Sequence, residues 1–317
     1  MRLRIIFYRV AEYMPEFDEF QNSSTTGKND AERRVLQTHK KGEKMTIEAS
    51  FIKQFEAEVH LAFQQMGTKL RATVRTKSNV KGSSTTFQKI GKGVATTKAR
   101  HQPMAVMNLN HTPVECVLQD FYAGEWVDEL DEIKTNIDER RVVASAGAYA
   151  LGRKSDELII NGLSAATQSI AVDGEGLTKE KILRALEVLN TKDVPDDGQR
   201  FGVVGVHQWN ELLSLPEFSS ADYVGDSYPL LKGVESRKWL GINWVMHNAL
   251  PIDSDDRSCF IYHKNAIGFA SGQDVKTDVS WSGERAAHFV SNSMSQGAVL
   301  VDAEGIIKIL CDDTSAL

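Results

Sequence analysis

Catalytic or metal chemistry would have to begin at histidine, cysteine and carboxylate residues, and in this sequence these are scattered. Cys116, Cys259 and Cys311 lie far apart and form no CxxC pair, so neither a zinc knuckle nor a disulfide framework is encoded, and a reducing compartment fits best. His101 and His111 flank Pro103 in a segment without acids; a metal site there would need ligands from elsewhere, and surface or satisfied core histidines are expected. Asp253, Asp255 and Asp256 cluster after Pro251, but their spacing fits no calcium loop and a solvated turn is the simpler reading. Gly91-Lys92-Gly93-Val94 lacks the third glycine of a dinucleotide loop, and no GxSxG elbow, HExxH pair or P-loop occurs. No catalytic residue, cofactor or metal is expected, and Met104 and Met107 read as packing residues.

What remains is the chemistry of charge. Between Glu58 and Glu115 there is no acid, while Lys69, Arg71, Arg75, Lys77, Lys81, Lys89, Lys92, Lys98 and Arg100 supply nine bases. The sign then inverts: Glu115, Asp120, Glu125, Asp128, Glu129, Asp131, Glu132, Asp138 and Glu139 stand against the single base Lys134. Two such blocks suit a contact between copies in which each chain offers a positive arm and a negative helix. Head-to-tail contacts of that kind generate rings or closed assemblies. Exposed ion pairs are worth only about 0–1 kcal/mol each, so charge would steer and register the arm while buried area holds it. The rival use of the basic segment is binding to a nucleic-acid backbone, with steep salt dependence.

The elements that position these charges follow from composition and period. The chain has 317 residues, 41% apolar and 25% charged, with net charge -6, as expected of a folded protein of one elaborate or two modest domains and not of a dedicated nucleic-acid binder. The early apolar run Ile5–Tyr8 is cut by Arg9, too short for a signal peptide or a membrane span, so a cytoplasmic site of synthesis and use, or release by lysis, is expected. Residues 1–44 read as a flexible extension, with Met45 a candidate start after Lys41-Gly42-Glu43-Lys44. Phe51, Ile52, Phe55, Val59, Ala62 and Phe63 space a short amphipathic helix over 47–66. Strand-like Thr73–Thr76 and Thr85–Gln88, punctuated at Gly82–Ser84 and Gly91–Gly93, give a long exposed basic β-hairpin. Trp126, Leu130, Ile133, Ile137, Ala144, Ala148 and Leu151 step at helical intervals, predicting a long acidic helix from Glu125 to Asn161, interrupted at Gly147 and Gly152 and about 55 Å long if unbroken.

Beyond it the pattern is mixed. Thr178 as N-cap, with a staple from Leu177 to Ile182, starts a helix over 179–190. Strands are expected at Phe201–Val206, Ile242–Met246 and Cys259–His263, a helix at His207–Leu215, and a polar loop at Asp222–Pro229. Three alternating pieces fill Val275–Leu310.

This order of segments resembles the major capsid protein of tailed bacteriophages. The likeness rests on Phe55–His60 before the arm, Asp138-Glu139-Arg140-Arg141 on the long helix, Leu212–Asp226 with Pro216-Glu217-Phe218 and Ala221-Asp222-Tyr223-Val224, and Trp239–Val245. It implies an α+β fold with a flexible extension at 1–44, an N-terminal arm at 45–67, an extended loop at 68–112, and a peripheral domain with a spine helix at 113–176. An axial α/β domain at 177–272 and a return to the peripheral domain at 273–317 complete it. By the same resemblance the extended loop lies across a neighbour's peripheral domain and Asp222, Tyr223, Gly225 and Asp226 are candidates for the axial tip, while the charge contrast points to the acids Glu125, Asp128, Glu129, Asp131, Glu132, Asp138 and Glu139 on the spine helix as the receiving residues. The implied function is an icosahedral head shell around double-stranded DNA, assembled in the host cytoplasm. The partners would be further copies in hexamers and pentamers, scaffold and portal proteins, and DNA without sequence specificity, with no membrane. A cellular nanocompartment shell, a nucleic-acid-binding protein using Lys69–Arg100, and an undetected α/β enzyme are the alternatives.

Overall fold

The computed structural model describes residues 64–130, 139–171, 175–219 and 237–314. The extension at 1–44, nearly all of the helix expected at 47–66, and the expected axial tip with Asp222, Tyr223, Gly225 and Asp226 lie outside the described residues. Strands β1 (Arg75–Lys77), β2 (Ser84–Ile90), β3 (His111–Val117) and β4 (Gln119–Asp128) come first, then helix α1 (Glu139–Ser164) and β5 (Ser169–Ile170). Helix α2 (Lys179–Thr191), β6 (Arg200–Val204), α3 (Val206–Ser214) and α4 (Pro216–Ser219) follow, then β7 (Arg237–Trp239), β8 (Ile242–Met246), β9 (Ile252–Asp253) and β10 (Asp256–His263). Three further strands end the described chain: β11 (Ile267–Ser282), β12 (Ala287–Leu300) and β13 (Ile306–Asp312).

They build two main sheets. One runs β1-β11-β12-β4, and the other runs β5-β13-β10-β6-β8-β7 with β9 on β10. The pair β2–β3 stands as a hairpin of its own, in register from Ser84 opposite Val117 to Ile90 opposite His111. The second sheet carries the larger core. Val203, Val204, Phe260, Ile261, Tyr262, Ile307 and Ile309 are all buried, the near-continuous apolar runs that a strand covered on both faces requires. Helix α2 closes one side. Thr178 accepts from the Lys181 N–H as its N-cap, and Leu177 and Ile182 are both buried.

Helix α1 couples the sheets. Its 26 residues span about 39 Å. Its C-terminal half buries Leu151, Gly152, Ser155, Asp156, Ile159, Ile160 and Leu163, the i, i+3, i+4 spacing of one inward stripe. The helix runs through Gly147 and Gly152 without a break. A Cβ at Gly147 would meet the Asn292 side chain on β12, and one at Gly152 would come within 2.8 Å of the Gly67 backbone. Both glycines mark close approach rather than interruption.

Three expectations need correction. The helix expected from Glu125 does not start there: Gln119–Asp128 is a strand whose ten residues pair with β12, Asp128 opposite Ala287 and Gln119 opposite Gln296. Glu125 and Asp128 therefore sit on a sheet edge, where cross-strand pairing overrides the helical stepping through Trp126, and helical backbone begins only at Glu129 and Leu130. Second, Arg75–Lys77 does not belong to the hairpin but pairs in parallel with Gly268–Ala270 of β11. The true partner of Ser84–Ile90 is His111–Val117, whose Pro113 and exposed charges suit an edge position. Third, the last strand returns to the α/β sheet, β13 pairing antiparallel with β10, so the segment 273–317 is shared between the two sheets.

Candidate intersubunit site

The hairpin β2–β3 is rooted by a small apolar cluster of Phe87, Cys116, Ala270 and Val301, with the Arg75 guanidinium over the Phe87 ring at 5.6 Å. Gly268 makes room for that ring, since a Cβ there would come within 2.7 Å of it. Past the root, the Gly91 N–H donates to the Asn110 carbonyl at 2.8 Å, and residues 91–110 run out and back as a finger with every residue exposed. It turns where the Gln102 N–H donates to the Ala99 carbonyl, beside His101 at φ 66°. Nine extended residues in each direction reach about 30 Å.

The finger carries apolar residues that its own chain leaves uncovered. Val94, Met104 and Val106 are 76%, 81% and 81% exposed. The reading of Met104 and Met107 as packing residues is corrected accordingly, although Met107 flanks Gly93 across the finger. An exposed stripe of this kind on a charged arm is the composition of a surface awaiting a partner.

The basic residues divide into two groups. Near the root, Lys89 pairs with Asp302 at 2.8 Å, Lys92 with Asp193 at 2.9 Å, and Arg71 with Asp274 at 2.8 Å. Lys92 also donates to the Lys192 carbonyl just beyond α2, a favourable place for a cation. The hydrogen bond to Asp193 raises the Lys92 ammonium above its ordinary pKa, and the same bond lowers the Asp193 carboxyl. Lys69, Arg75, Lys77, Lys81, Lys98 and Arg100 are exposed and make no ion pair among the described residues. The body of the chain thus neutralises Arg71, Lys89 and Lys92 and leaves the other six bases to solvent among the described residues.

The acids are spread over several elements. Glu115 lies on β3 opposite Thr86. Asp120, Glu125 and Asp128 are exposed along β4, the edge of the four-stranded sheet among the described residues. Glu129 follows β4 directly and Glu139 opens α1, while Asp131, Glu132 and Asp138 lie outside the described residues. Alongside the edge acids, Tyr122 and Trp126 are exposed, with Trp126 packed on Phe289 at 4.6 Å between ring centres and capped by Arg285.

Sequence reasoning missed the residue that fixes the arm to the body. Asp156 is buried on α1 and accepts from Thr68 Oγ1 at 2.6 Å, from the Lys69 and Leu70 N–H groups at 2.9 and 3.0 Å, and from Gln65 Nε2. His247, just past β8, completes the set: its Nδ1 accepts the Ala249 N–H, which leaves Nε2–H to donate to Asp156 at 3.1 Å. Burial alone would raise the Asp156 carboxyl, but the bonds from His247, Lys69, Thr68 and Leu70 outweigh it and hold the group below its usual range. The only sequence signal was an acid at the inward spacing of the helix. Among the described residues no cluster of three or more His, Cys, Asp or Glu is placed to hold a metal ion. Cys116, Cys259 and Cys311 are free and buried.

A family model described as phage capsid protein matches residues 47–313. No curated protein matches the sequence. Among solved structures, the chain is similar to the capsid of the cyanophage P-SCSP1u, with 16% identity over 80% of this chain and 91% of that one and a TM-score of 0.65. Mycobacterium phage Che8 gives 21% identity over 81% and 96%, with a TM-score of 0.63. The head of Helicobacter pylori bacteriophage KHP40 gives 11% over 80% and 93%, with a TM-score of 0.64.

Proposed function

Since this chain belongs to the phage capsid protein family and is a structural major capsid protein of a phage head, we propose that its copies close the shell by laying each finger across the four-stranded sheet of a neighbour. The carrying observation is the finger itself: residues 91–110 are exposed throughout and bear Val94, Met104 and Val106 with Lys98 and Arg100. A chain that builds such an arm gains nothing from it alone, because a two-stranded projection without a core is marginal in water.

The receiving surface is the β4 edge. Asp120, Glu125 and Asp128 supply negative charge, Glu129 and Glu139 extend it, and Tyr122 and Trp126 offer the aromatic anchors that interfaces favour. The segment 68–112 then serves as the extended loop, 113–176 with parts of 273–317 as the peripheral domain, and 177–272 as the axial domain gathered around five- and sixfold axes. Scaffold and portal proteins, packaged double-stranded DNA and assembly in the host cytoplasm belong to this reading. So does a structural rather than catalytic role, in line with the family match. The family match favours a phage head over a cellular nanocompartment.

Expression of the chain followed by negative-stain microscopy tests the reading. Closed shells of regular size are expected. A protein that stays monomeric at every concentration and ionic strength would overturn it.

A further inference from the structure

Strand β11 has sixteen residues, and only its first part is covered on the outer side. β1 pairs with Gly268–Ala270, and the Val80 N–H reaches the Ser271 carbonyl. Past a bulge at Asp274–Val275, the outer edge from Lys276 to Ser282 meets no strand among the described residues, while the inner side is held in continuous register with β12 from Lys276 opposite Ser293 to Ser282 opposite Ala287. A long open edge with unpaired N–H and C=O groups is a template for another strand. Val275, Val279 and Trp281 on it are 40%, 47% and 49% exposed. Lys276 and Asp278 have no ion-pair partner among the described residues.

The sequence of this edge, Val275-Lys276-Thr277-Asp278-Val279, is complementary to itself when reversed. We propose that two copies of the chain pair antiparallel along β11 about a twofold axis at Thr277. In that register Lys276 faces Asp278 of the second copy and Asp278 faces its Lys276, with Val279 and, at the edge of the bulge, Val275 flanking the charged pairs. Thr277 faces itself. Neighbouring registers fail. Centring on Lys276 sets Lys against Lys and Asp274 against Asp278, and centring on Asp278 sets Asp against Asp. Centring between residues sets Val275 against Asp278 or Lys276 against Val279. Directly opposed like charges and mismatched pairs are disfavoured across strands, so charge pattern selects one alignment.

The contact joins the two four-stranded sheets into one continuous sheet. It is isologous, whereas the finger contact is head-to-tail. It rests on the reading of the chain as a shell subunit: head-to-tail contacts close rings, and a twofold contact links one ring to the next.

The test uses Lys276→Asp and Asp278→Lys in purified full-length protein, with assembly followed by light scattering and microscopy. Each variant alone places like charges in both symmetry-related pairs, and its assembly is expected to slow by about tenfold or more. An equimolar mixture of the two should assemble within about twofold of the unmodified rate, because the edge of the first variant is acidic at both positions and that of the second is basic at both. A role for the two residues within one chain would leave the mixture as slow as its parts. The combined K276D/D278K variant should assemble with itself and exclude unmodified subunits from its particles, which guards against misfolding of either single variant. Single variants that assemble at the normal rate, a mixture no faster than its parts, or mixed particles with the combined variant would overturn the pairing. Failure of the unmodified chain to form shells would instead count against the shell reading.

Discussion

At the scale of single residues the decisive group is Asp156. It ties Gln65, Thr68, Lys69 and Leu70, where the basic segment begins, to helix α1 and to His247 beyond β8. Removing a buried carboxylate strands all those donors at once. Asp156→Ala should therefore cost about 3–5 kcal/mol in denaturant unfolding, on the scale of broken buried pairs. The pH dependence has a definite sign. The folded-state carboxyl lies below its unfolded value, so its contribution is complete above the unfolded pKa of about 3.9 and is lost as pH falls through the lower folded value. Melting temperature in the unmodified protein should drop more steeply below about pH 4 than in Asp156→Ala. Parallel curves for the two proteins would remove Asp156 from the account.

At the scale of elements, two glycines show how packing reads through sequence. An exposed helix interior gains about 1 kcal/mol from Gly→Ala. Gly152 should do the opposite, because its Cβ would press within 2.8 Å of the Gly67 backbone, which cannot rotate away. Gly152→Ala is expected to destabilise by about 1–3 kcal/mol, seen as a lower urea midpoint at unchanged m-value. A stabilised variant would mean that the arm root lies elsewhere.

Glycine spacing alone could not distinguish a break from a contact, and for that reason the sequence suggested an interruption where the helix is continuous. Other elements were legible. Thr178, Leu177 and Ile182 announce α2 through local cap chemistry, and Ile242–Met246 reads as β8 through its β-branched and aromatic content. The candidate site was half legible. Its charge contrast is visible at once, because no acid interrupts Lys69–Arg100. Its geometry is not, since the partner of Ser84–Ile90 begins only at His111, beyond the whole finger, and β4 joins a strand more than 150 residues away. Apolar stepping from 126 extends the helical signal back into a strand, and only the ten-residue pairing with β12 shows that the helix begins no earlier than Glu129.

At the scale of the whole molecule, the finger at 91–110 is exposed along its full length. Of the root pairs, Lys89–Asp302 is half-buried and Lys92–Asp193 is exposed. The second orients the finger without fixing it, and Asp193→Asn, which removes the charge while suiting the backbone at φ 57°, should leave the melting temperature nearly unchanged. In the proposed contact, charge on the outer finger acts chiefly before the surfaces meet. Initial assembly rates should accordingly fall as ionic strength rises, with the Debye length shrinking from about 30 Å at 0.01 M to about 10 Å at 0.1 M. On the same proposal apolar residues hold what charge has steered, and Val94, Met104 and Val106 are exposed on the finger.

The most direct measurement replaces residues 92–109 with Asn-Gly, a turn that closes β2 and β3 without the finger, and follows the purified protein by sedimentation and negative-stain microscopy. The account predicts a folded subunit, with unaltered circular dichroism and cooperative melting, that forms no shells under conditions where the intact chain does. Shells of normal size from the fingerless protein would contradict it.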